Sequence, residues 1–168
     1  FLYSTAAHYR EIKGLFNRDL SRLRGTLQAL LESQQSVEIL SEHNLSGRMA
    51  EYPLIVVPET DYLEPAFKAE LIAYVEAGGN LLLIGPATAA LFAPELGVTL
   101  EGSPQTEIRY LAHAGVLTPT KDPTKPVVIG KALPFGRLHA SKDANSPSQP
   151  AATITSLGRG KIAATYFC

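Results

Sequence analysis

The sequence predicts an α/β fold with a mainly parallel sheet, helices on both faces and a β-rich C-terminal part. Two short apolar runs, at 53–58 and 80–84, are continuous rather than alternating. Such runs are typical of strands buried on both faces, as in parallel sheets. A helical apolar period at 65–77 separates them. This alternation favours parallel strands joined by right-handed crossovers.

The first part of the chain supplies a strand, a helix and a second strand. Residues 1–3 and 37–40 predict short strands, and 17–35 predicts an amphipathic helix. Asn17 and Asp19 are candidate caps, because short polar side chains accept from the free N–H groups of a first turn. We expect the apolar stripe of this helix to be core, with a contact between subunits as the alternative. It consists of Leu20, Leu23, Leu27, Leu30 and Leu31.

The central helix has clear start and stop signals. Pro65 suits the first turn of a helix, and Gly78-Gly79 suits its C-terminal end. The strand at 80–84 follows, and Gly85-Pro86 ends it. A short helix is predicted at 87–91.

The sequence changes character after residue 97. Proline and glycine recur, and only short β-like pieces, at 108–111 and 127–129, interrupt an irregular region. Two β-prone runs then flank Gly158-Arg159-Gly160 and predict a closing hairpin. We therefore expect one domain over 1–168, with a regular βα part at 1–97 and an elaboration with the hairpin at 98–168.

Composition excludes several classes of protein. The 168 residues are 45% hydrophobic and 18% charged, which is enough apolar material for a core and too much for a disordered chain. Fifteen basic residues face sixteen acidic ones, so no basic excess indicates a nucleic-acid partner. No apolar run reaches the roughly 20 residues of a membrane span. A single cysteine, Cys168, excludes an internal disulfide, and we expect it to be a structural thiol.

Both ends have the character of strand interiors, so we expect a domain cut from a larger protein. The cellular compartment cannot be read from such a segment.

Candidate binding residues follow the predicted strands. Ligands of open parallel sheets bind beyond the carboxyl ends of the strands. If the chain binds a ligand, a small polar molecule or sugar would hydrogen-bond there, with an aromatic ring stacking on it and a glycine in the turn. The candidate residues are Ser4, Thr5, Glu59, Thr60, Tyr62, Gly85 and Thr88.

A catalytic alternative rests on Glu59 and Asp61, since glycoside hydrolysis uses two carboxyl groups. The more ordinary interpretation is a solvated loop whose acids stabilise the next helix N-terminus. His8 is expected to be a packing histidine. No metal-ligand spacing is present, and no cofactor is expected.

Three segments resemble a known superfamily. They are Tyr52-Pro-Leu-Ile-Val-Val-Pro58, then Ala73-Tyr-Val-Glu-Ala-Gly-Gly79 with the strand after it, and Gly158-Arg-Gly-Lys-Ile162. Together they resemble the class I glutamine amidotransferase-like fold, which is flavodoxin-like, in the form of the trimerisation domain of family 42 β-galactosidases. The resemblance covers about 20–85 well and the last fifteen residues weakly.

The resemblance implies the fold without the activity. True amidotransferases of this fold place a nucleophilic cysteine in a Gly-x-Cys-x-Gly turn between a strand and a helix. The matching turn here reads Gly85-Pro-Ala-Thr-Ala89 and has no cysteine. The loop at Pro58-Glu-Thr60 also lacks the Pro-Gly-Gly of the amidotransferases. The region 98–150 matches no part of the family pattern.

Three functions remain open from the sequence. The favoured one is a non-catalytic accessory or assembly domain of a larger carbohydrate-active protein, whose partners are other domains of that protein or further copies of itself. The second is a domain that binds a sugar or another small molecule at the strand ends. The third is a hydrolase that uses Glu59 and Asp61.

Overall fold

The computed structural model describes residues 1–11, 20–107, 109–121, 123–143 and 145–167. Its helices are α1 (Thr5–Glu11), α2 (Ser21–Glu32), α3 (Glu42–Leu45), α4 (Pro65–Glu76), α5 (Pro86–Leu91) and α6 (Ala93–Leu96), with a 3₁₀ turn at Met49–Glu51. Its strands are β1 (Leu54–Val57), β2 (Asn80–Leu83), β3 (Val98–Leu100), β4 (Arg109–His113), β5 (Val116–Thr120), β6 (Val127–Ile129), β7 (Leu133–His139), β8 (Ser148–Leu157) and β9 (Gly160–Thr165).

Seven strands form one curled, mixed sheet in the order β1-β2-β9-β8-β7-β4-β5. Only β1, β2 and β9 run parallel to one another among the described strands, and the remaining pairs are antiparallel. β3 and β6 form a small second sheet. The α/β class is confirmed, whereas the expectation of a mainly parallel sheet is corrected to a mixed one.

Two predicted strands are reduced to isolated bridges. Leu2 and Leu40 form a single parallel bridge instead of paired strands at 1–3 and 37–40. The Leu2 N–H donates to Val56 O at 2.8 Å, so this segment lies beside β1. This bridge is too short to count as two further strands.

The core lies between the parallel strands and the helices that connect them. The apolar runs form strands because both their faces can be covered, and alternate residues of each run face α4, α5 and α6. Buried side chains of the parallel strands include Ile55, Val57, Leu81, Leu83, Ile162 and Ala164; those of the helices and their junction include Leu71, Val75, Ala89, Leu96 and, between α5 and α6, Phe92. Pro65 opens α4 as predicted, and Gly78, at φ +117°, follows its end.

The amphipathic helix exists, but its stripe is not core. α2 covers Ser21–Glu32, and none of its residues is buried. Leu31 is 53% exposed, and the other leucines of the stripe are half-buried. Periodicity shows which face of a helix could be covered and does not show that something covers it. The candidate caps Asn17 and Asp19 lie outside the described residues.

The region after residue 97 is far more regular than the sequence predicts. It contains strands β3 to β7, in place of the irregular region expected from its proline and glycine content. Pro119 lies in β5, at the edge of the sheet, where a strand tolerates a residue without an N–H donor. Gly136, at φ +65°, interrupts β7 without changing its register with β8.

The closing hairpin is confirmed. β8 and β9 pair antiparallel around the turn at Gly158, whose φ is +59°. β9 also pairs in parallel with β2, so the last strand of the elaboration joins the sheet of the regular part. No described helix is long and apolar enough to cross a membrane.

Candidate functional site

The carboxyl ends of β1 and β2 form the strand-end rim, which we define as residues 58–62 and 84–88. Gly85, at φ +87°, makes the turn from β2 into α5, a backbone conformation that strongly favours glycine. Its N–H donates to Thr165 Oγ1 at 2.8 Å, which ties this turn to the end of β9. The structure therefore places the turn where the sequence predicted it, with Pro86 and Ala87 following Gly85.

Thr88 binds the two loops of the rim together. Its side chain is fully buried. Its Oγ1 accepts a hydrogen bond from Thr60 N at 2.7 Å and lies 3.0 Å from Pro58 O and 3.2 Å from Thr60 O. The hydroxyl can donate to either carbonyl while it accepts from the amide. Thr88 is thus a structural hydroxyl, and solvent does not reach it.

Glu59 contacts the first turn of α5. Its Oε1 accepts from Ala87 N at 3.2 Å and lies 3.5 Å from an Arg22 guanidinium nitrogen. The Glu59 side chain is 9% exposed, whereas that of Arg22 is 51% exposed. A carboxylate at this place compensates the positive end of the helix. Asp61, the other carboxylate of the hydrolase hypothesis, is exposed to solvent.

Ser4 and Thr5 bind a carboxylate of the same chain. Ser4 Oγ donates to Glu42 Oε1, and the N–H and Oγ1 of Thr5 donate to Glu42 Oε2 at 2.8 and 2.9 Å. Ser4 Oγ also accepts from Ala7 N at 3.1 Å, as the N-cap of α1. Burial by itself raises the pKa of the Glu42 carboxyl, but these hydrogen bonds outweigh it, and the pKa lies below its ordinary value.

Glu42 is the residue that sequence reasoning missed. It lies in α3, in a stretch that reads as a polar loop, and no local pattern pairs it with residues 38 positions away. The bridge between Leu2 and Leu40 places α1 beside α3.

Tyr62 also contacts a side chain of the same protein. The Arg10 guanidinium lies 4.0 Å from the centre of its ring, so a cation covers one face on which a sugar was expected to stack. His8 is not part of the rim: its Nδ1 lies 3.3 Å from Tyr3 OH. Cys168 lies outside the described residues. Within the described ranges, no group of three or more His, Cys, Asp and Glu is arranged to hold a metal ion.

Two cavities flank the contact between Arg22 and Glu59. The first, of about 350 Å³, extends toward Ser4, Thr60 and Asp61. The second, of about 330 Å³, is lined by Pro86, Pro104, Thr106, Pro123 and Lys125. A larger groove, of about 710 Å³, lies at the opposite ends of the strands beside Tyr52, Tyr74 and Asn80. Of the predicted site residues, Ser4, Glu59 and Thr60 line the first rim cavity, and Glu59 lines the second.

The fold is shared with part of several solved glycosidases. A catalytic mutant of the GH42 beta-galactosidase Gan42B from G. stearothermophilus is 17% identical, with a TM-score of 0.77 over 99% of this chain and 27% of that one. The cold-adapted beta-galactosidase from Rahnella sp. R3 is 13% identical, with a TM-score of 0.75 over 99% and 28%. The beta-galactosidase from Halorubrum lacusprofundi is 14% identical, with a TM-score of 0.71 over 99% and 27%.

The chain has the fold of one part of GH42 beta-galactosidases. It spans about a quarter of the length of these enzymes. Sequence identities of 13–17% show the fold alone. No protein-family model and no curated protein matches the sequence.

Proposed function

We propose that this chain is a non-catalytic accessory or assembly domain of a glycoside hydrolase. The observation that carries the proposal is that the predicted site residues bond within the chain: Thr88 is buried, Glu59 contacts α5 and Arg22, and Ser4 is bonded to Glu42. The likeness to about a quarter of several GH42 beta-galactosidases supports the same conclusion. Its partners are other domains of the parent protein or further copies of the chain.

The proposal also includes an assignment of this fold to a superfamily. The order β1, α4, β2, α5 with a glycine turn between β2 and α5 is compatible with a class I glutamine amidotransferase-like, flavodoxin-like core. Where such enzymes present a cysteine thiolate, this chain has Pro86, Ala87 and the buried hydroxyl of Thr88. A nucleophile needs an adjacent base and access to substrate, and a fully buried threonine lacks access.

Hydrolysis of chromogenic glycosides tests the non-catalytic role. We expect no turnover of nitrophenyl β-galactoside, α-fucoside or β-mannoside by the purified chain. The variants Glu59→Gln and Asp61→Asn each replace one of the two carboxyl groups of the hydrolase hypothesis by an amide and are assayed beside the native chain. Turnover that Glu59→Gln abolishes would establish the hydrolase hypothesis and overturn the non-catalytic proposal.

A second candidate function is binding of a small sugar at the rim. The two cavities of about 350 and 330 Å³ support it, because they lie near the lower limit of ligand pockets, about 300 Å³. Titration with galactose, followed by amide chemical shifts, tests it. Saturable shifts at Thr60, Ala87 and Lys125 support binding, and shifts that grow linearly or spread over the whole surface argue against it.

A further inference from the structure

The second rim cavity, of about 330 Å³, lies where the two parts of the chain meet, and we call it the Lys125 cavity. On one side α5 lines it with Pro86, Ala87 and Ala90. On the other side it is lined by two short segments of the later part, 104–106 and 123–125. Ligand pockets begin at about 300 Å³, so a ligand of this cavity has to be small.

The wall of the Lys125 cavity is apolar apart from a few placed charges. Three prolines and two alanines line it, together with Thr106. Its charged residues are Arg22, Glu59 and Lys125, which are two cations and one carboxylate and leave an excess of one positive charge. In ligand pockets the apolar wall contacts the body of the ligand, and a small number of polar groups fixes its orientation.

Arg22 has hydrogen-bonding capacity beyond its contact with Glu59. The nitrogen–oxygen distance of that contact is 3.5 Å, longer than the ~2.7–2.9 Å of a charge-assisted hydrogen bond. A guanidinium has five N–H donors in a planar fork, and the Arg22 side chain is half exposed. Glu59 Oε1 meanwhile accepts from Ala87 N. Arg22 can therefore donate to an incoming acceptor while Glu59 stays bonded to α5.

Lys125 is a half-buried cation on a fixed backbone. Its ammonium group forms no ion pair within the described part of the chain. Its N–H donates to Tyr166 O at 3.0 Å, and the buried Thr124 before it forms bridges to Gln105 and Phe167. A backbone that is already ordered lowers the entropy cost of binding. The cavity thus holds a positioned positive charge that an anion would neutralise.

We propose that the Lys125 cavity binds a small carboxylic acid with an apolar body, its carboxylate between Arg22 and Lys125 and its body against the prolines. A planar guanidinium suits a carboxylate, which it binds through two parallel N–H donors. A neutral sugar would leave the excess positive charge without a partner, and an inorganic anion would leave the apolar wall uncovered. This inference rests on the second candidate function, binding at the rim, and names the class of its ligand.

Benzoate is the probe that tests this ligand class. Titration of the full chain, followed by amide chemical shifts, should give saturable shifts at Ala90, Thr106 and Lys125. We expect a Kd on the order of 1 mM, because so small a ligand makes few contacts. Benzamide keeps the ring without the charge, and acetate keeps the charge without the ring. Each should bind at least about tenfold more weakly, because the loss of one favourable contact costs about that factor.

Charge removal at the two cations identifies the site. Lys125→Gln and Arg22→Gln should each raise the Kd of benzoate about tenfold or more, since a hydrogen bond to a charged group is lost. The matched controls, Lys131→Gln and Arg24→Gln, remove the same charges at exposed positions that do not line the cavity. They should bind benzoate like the native chain. Circular dichroism establishes that each variant is folded.

Filling the cavity is a test that does not depend on charge. Ala90 lines the cavity from an exposed position of α5, so a larger side chain is accommodated there without entering the core. Ala90→Trp should abolish the saturable shifts with benzoate and keep the far-UV circular dichroism of the native chain. Unchanged benzoate affinity in this folded variant would show that benzoate binds elsewhere and would overturn the inference.

The remaining outcomes separate this inference from the functions beneath it. Equal affinity for benzoate and benzamide would overturn the carboxylate class and leave binding at the rim. Equal losses in the cavity variants and their controls would show a diffuse attraction to basic surface and overturn the site. If benzoate gives no saturable shifts, the inference fails, and the galactose titration still decides whether the rim binds a sugar. The non-catalytic role fails only if the chain hydrolyses glycosides.

Discussion

Single hydroxyl and carboxyl groups hold the strand-end rim and the start of α1 in place. Thr88 and Glu42 each satisfy several backbone or side-chain groups from segments distant in sequence. Of the residues that the sequence singled out, Glu59 and Thr60 follow β1, whereas Thr5 lies in α1 and Thr88 in α5. The sequence could not predict the bonds from Ser4 and Thr5 to Glu42 or from Thr60 to Thr88, since those depend on distances across the fold.

Replacing Thr88 by valine tests the buried hydroxyl. The change keeps the shape of the side chain and leaves the Thr60 N–H without an acceptor. An unsatisfied buried donor costs about 1–3 kcal/mol, so the free energy of unfolding should fall by that amount. Urea titration measures the loss. Thr88→Ser keeps the hydroxyl and should be clearly more stable than Thr88→Val; equal stability would contradict the bonding role.

Acid should weaken the contact between α1 and α3. The pKa of Glu42 is lowered in the folded chain, so its contribution to stability is present above the unfolded pKa. That contribution is lost as the pH falls through the folded pKa, because protonation removes an acceptor of three hydrogen bonds. In Glu42→Gln, unfolding free energy should therefore depend less on pH below about 4.5. Identical pH profiles of the native chain and Glu42→Gln would refute this.

Individual elements differ in how well the sequence predicts them. β1, α4 and β2 were predicted because continuous apolar runs and Pro65 and Gly78 are strong local signals. β7 was missed, since it contains Pro134 and Gly136 and is stabilised by its pairing with β4 and β8. Strand pairing over long sequence distances leaves little trace in local composition.

The β8–β9 hairpin packs closely on the end of α4, so a side chain at Gly160 should destabilise the chain. A Cβ at Gly160 would lie 2.0 Å from Gly79 O and 2.3 Å from Val75 O. Backbone has to move to accept it, so Gly160→Ala should destabilise the chain by about 1–3 kcal/mol or more.

The control is Gly25 in α2, where a Cβ meets nothing within 4 Å. Gly25→Ala should stabilise the chain by about 0.5–1 kcal/mol, because alanine favours a helix interior. Urea midpoints compare the two variants. Equal midpoints for Gly160→Ala and the native chain would show that the hairpin does not pack tightly on α4.

The whole molecule is organised by β9, which joins its two parts. β9 pairs with β2 on one side and with β8 on the other, so the predicted division into 1–97 and 98–168 does not divide the sheet. Sequence reasoning located that division by the recurrence of proline and glycine after residue 97. Composition does not report that a late strand inserts beside an early one.

A shared sheet predicts a single cooperative unfolding transition. Tyr74 in α4 and Tyr166 after β9 are both buried, so tyrosine fluorescence reports on both parts of the chain. Urea transitions followed by tyrosine fluorescence and by far-UV circular dichroism should coincide, as in two-state unfolding. Two separated transitions would show that the parts unfold independently.

The central position of β9 also has a consequence for synthesis on the ribosome. β1 and β2 emerge early, at a rate of about 5–20 residues per second, while the strand that connects them to β8 emerges more than seventy residues later. Until then β2 presents an unpaired edge, with main-chain donors and acceptors open to any extended segment nearby. During the translation of 84–160 this edge of the nascent chain therefore stays open to misassociation.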